Sequence, residues 1–235
     1  MRSGDREMGR WGEWRTLPPS PHPPISPYPR AGFTLLEILV VIVIIGILAS
    51  LALVGVTYAI KTSKISNTQA MLSTMQGALD NYHTRWRDYP PSTLADYKVK
   101  VPNNTNNGVE SLVASLSSKQ KGGILYQPPT QEMYANADGD DLPKNPTESY
   151  LAESGAYALL EYTDFFGNPL VYLHHNDYAR APAPLTTYLG AAGGQEQSFK
   201  PLKGAGSSWA MPDKYQLVSP GPDGILGTED DLRQF

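Results

Sequence analysis

Gly32 to Val56, GFTLLEILVVIVIIGILASLALVGV, decides how the rest of the chain is read. From Ile38 to Val56 there are nineteen residues without a charge. As a helix rising ~1.5 Å per residue they span nearly the whole ~30 Å hydrocarbon core of a bilayer. Glu37 stands at the lip of this run. A carboxylate drawn toward the bilayer centre costs roughly 2.5 to 3.5 kcal/mol on insertion scales, so its presence implies a partner, and an ammonium would neutralise it. Two plainer readings stand beside this one. Glu37 could reach back to the interface of a simple anchor, or the stretch could be a secretory signal cut at the small residues Ser50-Leu51-Ala52, although the run exceeds the ~7 to 15 apolar residues usual in a signal.

Gly32-Phe33-Thr34-Leu35-Leu36-Glu37 resembles the processing signature of type IV pilins and type II secretion pseudopilins, and the N-terminal helix, a sheet turn and the C-terminal loop are similar to those of the major pseudopilins of that superfamily. The resemblance implies that a prepilin peptidase cuts after Gly32 and N-methylates Phe33, and that Glu37 pairs with the N-terminal amine of a neighbouring subunit. It also implies an order: a cleaved leader at 1–32, a transmembrane and filament-core helix at 33–56, the amphipathic half of the same helix at 57–89, and a periplasmic region at 90–235. Charge does not set the orientation, because Arg30 on one flank faces Lys61 and Lys64 on the other. The resemblance places the leader in the cytoplasm, the helix in the inner membrane and the remainder in the periplasm.

The chain of 235 residues has a formal net charge of −4. The segment before Phe33 holds five Arg against three acids, or +2, which leaves −6 for the rest. That argues against a nucleic-acid surface. There is no cysteine, although small exported domains often rely on disulfides, so another staple is expected. Many type IV pilins close a C-terminal loop with a disulfide that this chain cannot form. Pro and Gly, 21 each, point to long loops rather than disorder, given 14 Tyr and 4 Trp. The run Leu17 to Arg30 reads as a polyproline-type extended spacer.

Beyond the apolar run the helical period continues. Ile65, Leu72, Leu79 and Trp86 recur every seven residues, with Thr68, Met75, Tyr82 and Tyr89 at the offset of three. Pro90-Pro91 is read as the stop, giving one helix from about Phe33 to Tyr89, roughly 57 residues and ~85 Å long. The fold class that follows is α+β and pilin-like, a long N-terminal helix packed on a small antiparallel β-sheet. A dimeric coiled coil is the competing use of such a stripe, but Thr, Met and aromatic residues suit packing against a sheet better.

A polar run at Asn103 to Gly108 leads into a short helix predicted over Val109 to Leu116. Asp88-Tyr89-Pro90 and Gly108 to Val113 resemble the tyrosine-proline turn and loop helix of major pseudopilins. Ala137-Asp138-Gly139-Asp140-Asp141 lacks the downstream bidentate carboxylate of a calcium loop and reads as a solvated turn. Strands are predicted at Tyr157 to Leu160 and Leu170 to His174, with Asp164-Phe165-Phe166-Gly167-Asn168-Pro169 as the turn between them. The same DFFGNP run, with Tyr172, resembles the first sheet turn of major pseudopilins. His174 and His175 are adjacent in a strand and so are expected on opposite faces, away from any shared metal. Residues 176–213 show no periodicity and read as an insertion. The resemblance is also thin over 117–156.

A strand predicted at Tyr215 to Val218 runs into Ser219-Pro220-Gly221-Pro222-Asp223-Gly224-Ile225-Leu226-Gly227-Thr228-Glu229-Asp230-Asp231. Turn-forming Gly and Pro crowd three carboxylates, and such hard oxygen ligands suit Ca²⁺, which takes six to eight oxygens at ~2.3 to 2.6 Å, better than Zn²⁺. An exposed acidic hairpin is the alternative. The stretch resembles the C-terminal calcium loop of the major pseudopilins. By that resemblance the ligands would be the side chains of Asp223, Asp230 and Asp231 and the backbone carbonyls near Pro220 and Ile225. In a chain without disulfides, such a clamp would add stability.

No nucleotide loop, HExxH or GxSxG pattern occurs, so a structural role is expected rather than an enzymatic one. The resemblance implies a subunit that polymerises with itself into a periplasmic pseudopilus for type II protein secretion. Its partners would be other pseudopilins, the prepilin peptidase and the inner-membrane assembly platform. Two alternatives remain: a type IV pilus subunit for adhesion, motility or DNA uptake, and a membrane-tethered calcium-binding domain that never polymerises.

Overall fold

The computed structural model describes residues 32–94, 103–117, 124–140, 159–179, 187–190, 194, 196–204, 206 and 208–234. Residues 1–31 of the leader expected at 1–32, and the first two of the strand expected at Tyr157 to Leu160, lie outside the described residues. The chain divides into two units at Ala49/Ser50.

In the first unit, helix α1 (Leu35–Trp86) begins. Thr34 holds the N-cap position, so the helix starts two residues later than the sequence reading of a helix from Phe33. Its hydroxyl accepts the Glu37 N–H at 3.2 Å, while Glu37 Oε2 accepts the Thr34 N–H at 2.7 Å and its hydroxyl at 3.0 Å. That reciprocal pattern is a capping box, which satisfies donors that a helix start otherwise leaves open. The large apolar side chains from Phe33 to Leu48 are all exposed. α1 is long and apolar enough to cross a membrane.

In the second unit the expected stripe of α1 is the buried one: Thr68, Leu72, Met75, Leu79 and Tyr82 are covered, joined by Met71 and Ala78 on its flanks, and Ile65 packs at its margin. Trp86, placed on the stripe by spacing, is 36% exposed and leans on Tyr82 at 4.3 Å between ring centres. The helix also ends earlier than Tyr89. Arg87 adopts a left-handed conformation, φ 63°, and its N–H returns to the His83 carbonyl at 2.8 Å. This is the single-bond left-handed cap, so the stop is set at Arg87 before Pro90-Pro91 is reached.

α2 (Asn107–Ser117) is two residues longer at its start and one at its end than the segment predicted from periodicity, and Asn107 to Leu116 are all buried. Asn106, φ 53°, offers its carbonyl to Val109 N–H and Glu110 N–H and so starts the first turn. The strands form three small antiparallel sets. β1 (Tyr134–Ala135) pairs with β2 (Glu161–Tyr162), β3 (Val171–His174) with β6 (Tyr215–Ser219), β6 with β7 (Leu232–Arg233), and β4 (Thr187–Leu189) with β5 (Glu196–Ser198). In the central sheet, ordered β3-β6-β7, Val171 faces Val218 and Val218 faces Arg233. Leu159 and Leu160 are not in a strand; pairing falls instead on Glu161 and Tyr162, where β1 supplies a partner.

The larger core joins the α1 stripe to Val109, Leu112, Val113 and Leu116 of α2 and to Tyr162, Tyr172, Tyr215 and Leu217 of the sheets. A smaller one packs Val171, Leu173 and Val218 under Tyr178, Tyr188 and Phe199. The stretch read as an insertion without periodicity contributes β4, β5 and core aromatics; strands of three residues are too short to show a period.

His174 and His175 also differ from expectation. The strand ends at His174, the chain turns into a 3-10 helix at His175–Asp177, and the two rings lie 4.2 Å apart between centres, tilted by 39°. Together with Asp88 they offer ligand atoms within 4.8 Å of one another. Hydrogen bonds engage both rings: His174 Nδ1 accepts the Asn176 N–H at 3.2 Å, His174 Nε2 donates to Asp88 Oδ1 at 3.0 Å, and His175 Nδ1 donates to the Lys214 carbonyl at 3.0 Å. Desolvation would raise the Asp88 carboxyl, but the bonds from His174 and the Tyr89 N–H hold it below its usual value.

Candidate functional site

The C-terminal loop starts where β6 stops. Gly221–Asp223 makes one turn of 3-10 helix, closed by Gly224 at φ 69°. Gly221 also has φ 69°, and a Cβ there would collide with the Asp230 carbonyl oxygen. These two positions require glycine, and Gly221 brings the two ends of the loop together.

The three aspartates lie on this loop, each with an oxygen turned to a loop donor. Asp223 Oδ1 accepts the Ile225 N–H at 2.8 Å, Asp230 Oδ1 the Thr228 hydroxyl at 2.6 Å, and Asp231 Oδ2 the Gly227 N–H at 3.0 Å. The Thr228 bond holds the Asp230 carboxyl below its usual range, against a small opposing effect of desolvation. The Asp231 side chain is 1% exposed and pairs through Oδ2 with Arg233 at 3.2 Å, but its Oδ1 is buried with no hydrogen-bond partner. The Ile225 carbonyl receives the Thr228 hydroxyl at 3.1 Å, and Pro220 is buried. The three aspartates do not form one of the ligand groups that converge within 4.8 Å among the described residues. Even so, a buried carboxylate oxygen without a donor, in an all-oxygen loop, fits a hard cation.

Asp164 and Asn168, not read as part of this site, hold it from the other side. Asp164 Oδ2 accepts the Ser219 hydroxyl at 2.7 Å, and Asp164 Oδ1 accepts the N–H groups of Phe166 and Asn168 at 2.8 and 2.9 Å. Asn168 Nδ2 donates to the Gly221 carbonyl at 3.0 Å. Burial raises the Asp164 carboxyl, and those donors oppose the rise. The Gly-Asn-Pro run signalled a turn; that the turn also buttresses the acidic loop carried no local signal.

Ala137 to Asp140 is not a solvated turn. Asp140 is 6% exposed, and Asn103 Nδ2 donates to Asp138 Oδ2 at 2.9 Å and to Asp140 Oδ2 at 3.2 Å. Asp141 lies outside the described residues.

At the N-terminus, Gly32 and Phe33 precede the capping box and are exposed. The model of the prokaryotic N-terminal methylation motif matches residues 29–53, which span the Gly32–Phe33 junction, Glu37 and most of the apolar run. The long apolar helix and the small antiparallel sheets beyond it are an α+β, pilin-like layout. Over 208 residues the chain is 27% identical to the type II secretion system core protein G of Escherichia coli (strain K12), an alignment covering 88% of this chain and 91% of the relative. No solved structure matches the chain.

Proposed function

We propose that the chain is the major pseudopilin of a type II secretion system, a subunit that polymerises through its N-terminal helix into a periplasmic filament. The observation that carries this most directly is the exposed apolar stem headed by Glu37. Its side chains from Ile38 to Val56 are exposed, so lipid before assembly and neighbouring stems after it would supply the burial. Likeness to core protein G along most of both chains supports the secretion role over a pilus of adhesion or motility.

After cleavage behind Gly32, Phe33 would carry the free, methylated amine. The capping box would survive that cut, because it uses the Thr34 N–H and hydroxyl. Both of its bonds fall on Glu37 Oε2. An ionised carboxylate has about four acceptor positions, so a neighbour's ammonium could be received as well. The helix would be anchored in the inner membrane with the remainder in the periplasm. There Asp223, Asp230 and Asp231, with the carbonyls of Pro220 and Ile225, would hold Ca²⁺; the ion would neutralise the clustered charges and fix the loop, and Asp231 Oδ1 would gain a partner. The other pseudopilins, the prepilin peptidase and the assembly platform would be its partners.

Deleting the gene in its native host tests the proposal. Proteins normally secreted should accumulate in the periplasm while surface pili and twitching remain. Intact secretion with lost surface pili would overturn it in favour of a type IV pilin.

A further inference from the structure

A second set of carboxylates converges outside the C-terminal loop. Glu110 comes from the first turn of α2, Asp138 from the loop after β1, and Glu161 from β2; one oxygen of each lies within 4.8 Å of the other two. Glu110 and Glu161 are 1% and 0% exposed. Glu110 Oε1 is buried with no hydrogen-bond partner. The donors that reach the other two are neutral. Asn103 serves Asp138, Asn106 Nδ2 serves Glu161 Oε1 at 3.2 Å, and the Ala137 N–H serves both Glu161 oxygens at 3.2 and 3.0 Å. Among the described residues none of the three carboxylates forms an ion pair.

Dipoles of this kind orient carboxylates without cancelling their charge, and burying several negative charges together is costly unless they are paired, protonated or bound to a metal. Mg²⁺ usually keeps several waters and takes only one or two carboxylates, whereas Ca²⁺ accepts a larger set of protein oxygens in flexible geometry, so three converging carboxylates suit Ca²⁺. All donors are oxygens, which disfavours zinc.

We propose that Glu110, Asp138 and Glu161 form a second calcium site, with the Asp140 carboxylate beside it held by Asn103. The ion would tie α2 to the β1–β2 pair, and β4 is drawn in through Asn106, which accepts the Leu189 N–H at 3.0 Å and donates to its carbonyl at 3.3 Å. Residues far apart in the chain would thereby be stapled in a protein without cysteine.

The test is a count of bound ⁴⁵Ca²⁺ per chain by equilibrium dialysis on the detergent-solubilised full chain after chelator stripping. Glu110→Gln should bind one ion fewer than wild type. Combined with Asp230→Ala it should bind one fewer than Asp230→Ala alone, which separates this site from the C-terminal loop whether or not that loop binds. Glu110→Gln should also melt above wild type in chelator near neutral pH, since it has no carboxyl that must take up a proton on burial, and below it in Ca²⁺. Should that variant misfold, Asp138→Asn, at a half-buried loop position, carries the same count. Unchanged counts in both backgrounds, or the same melting difference with and without Ca²⁺, would overturn the site and leave a cluster neutralised by protons.

Discussion

Asn168 donates from Nδ2 to the carbonyl of Gly221, 53 residues away, at 3.0 Å. The first sheet turn and the acidic C-terminal loop are therefore one unit, since Asp164 of the same turn grips Ser219 at the loop's start. Asn168→Ala should leave the buried Gly221 carbonyl without that donor and cost about 1 to 3 kcal/mol. Denaturant unfolding in chelator measures the loss. Calcium affinity should fall as well, because the loop would be less preorganised; wild-type stability and affinity would separate the turn from the loop.

Calcium should stabilise the chain through Asp230. A ligand binding only the folded state adds about 2.7 kcal/mol at a hundredfold excess over Kd. Asp230→Ala should lose the loop's share of that gain and gain little from Mg²⁺, which gives up water reluctantly. Thermal unfolding in Ca²⁺, Mg²⁺ and chelator reads this directly, and equal calcium gains for wild type and variant would make the loop a plain acidic hairpin.

What could be read from the sequence was local. Thr68, Leu72, Met75, Leu79 and Tyr82 announce their buried face because a helix repeats it, and Gly221 to Asp231 announces an acidic loop because its turn residues and carboxylates adjoin. Glu110 and Glu161 meet only after α2 packs on β2, and neither has a neighbour in sequence that marks it. β1 and β2 are two residues long, too short for alternation to show. The histidine pair was misplaced because the strand ends within it, a boundary set by the 3-10 turn and not by either ring.

The same cluster predicts a pH dependence for chelated protein. Burial, and then the charges of Asp140, Asp138 and Glu161, push the Glu110 carboxyl up to about 10; Glu161 is pushed up to about 7, again mainly by burial. A carboxyl whose folded value is raised stabilises the fold while protonated. Its contribution is complete below the unfolded value, ~4.3, and is lost as pH climbs through the folded value. Stability in chelator should therefore fall from pH 5 to pH 8, and Glu161→Gln should flatten the fall. Denaturation midpoints across that range that rise in chelator would contradict the burial of these charges.

Processing should yield a chain that begins at methylated Phe33. Intact-mass measurement on protein from native membranes checks it; a species that keeps Arg30, or one that begins at Leu53, would exclude cleavage behind Gly32.

The central claim is that Glu37 drives assembly through its charge and not through its place in the capping box. Glu37→Gln separates the two, since the amide oxygen can still accept the Thr34 N–H but cannot pair with an ammonium. The measurement is the yield of filaments sheared from cells overexpressing each chain at matched membrane levels. Wild type should give filaments and Glu37→Gln essentially none, whereas filaments from Glu37→Gln at the wild-type yield would contradict assembly by a carboxylate–amine pair.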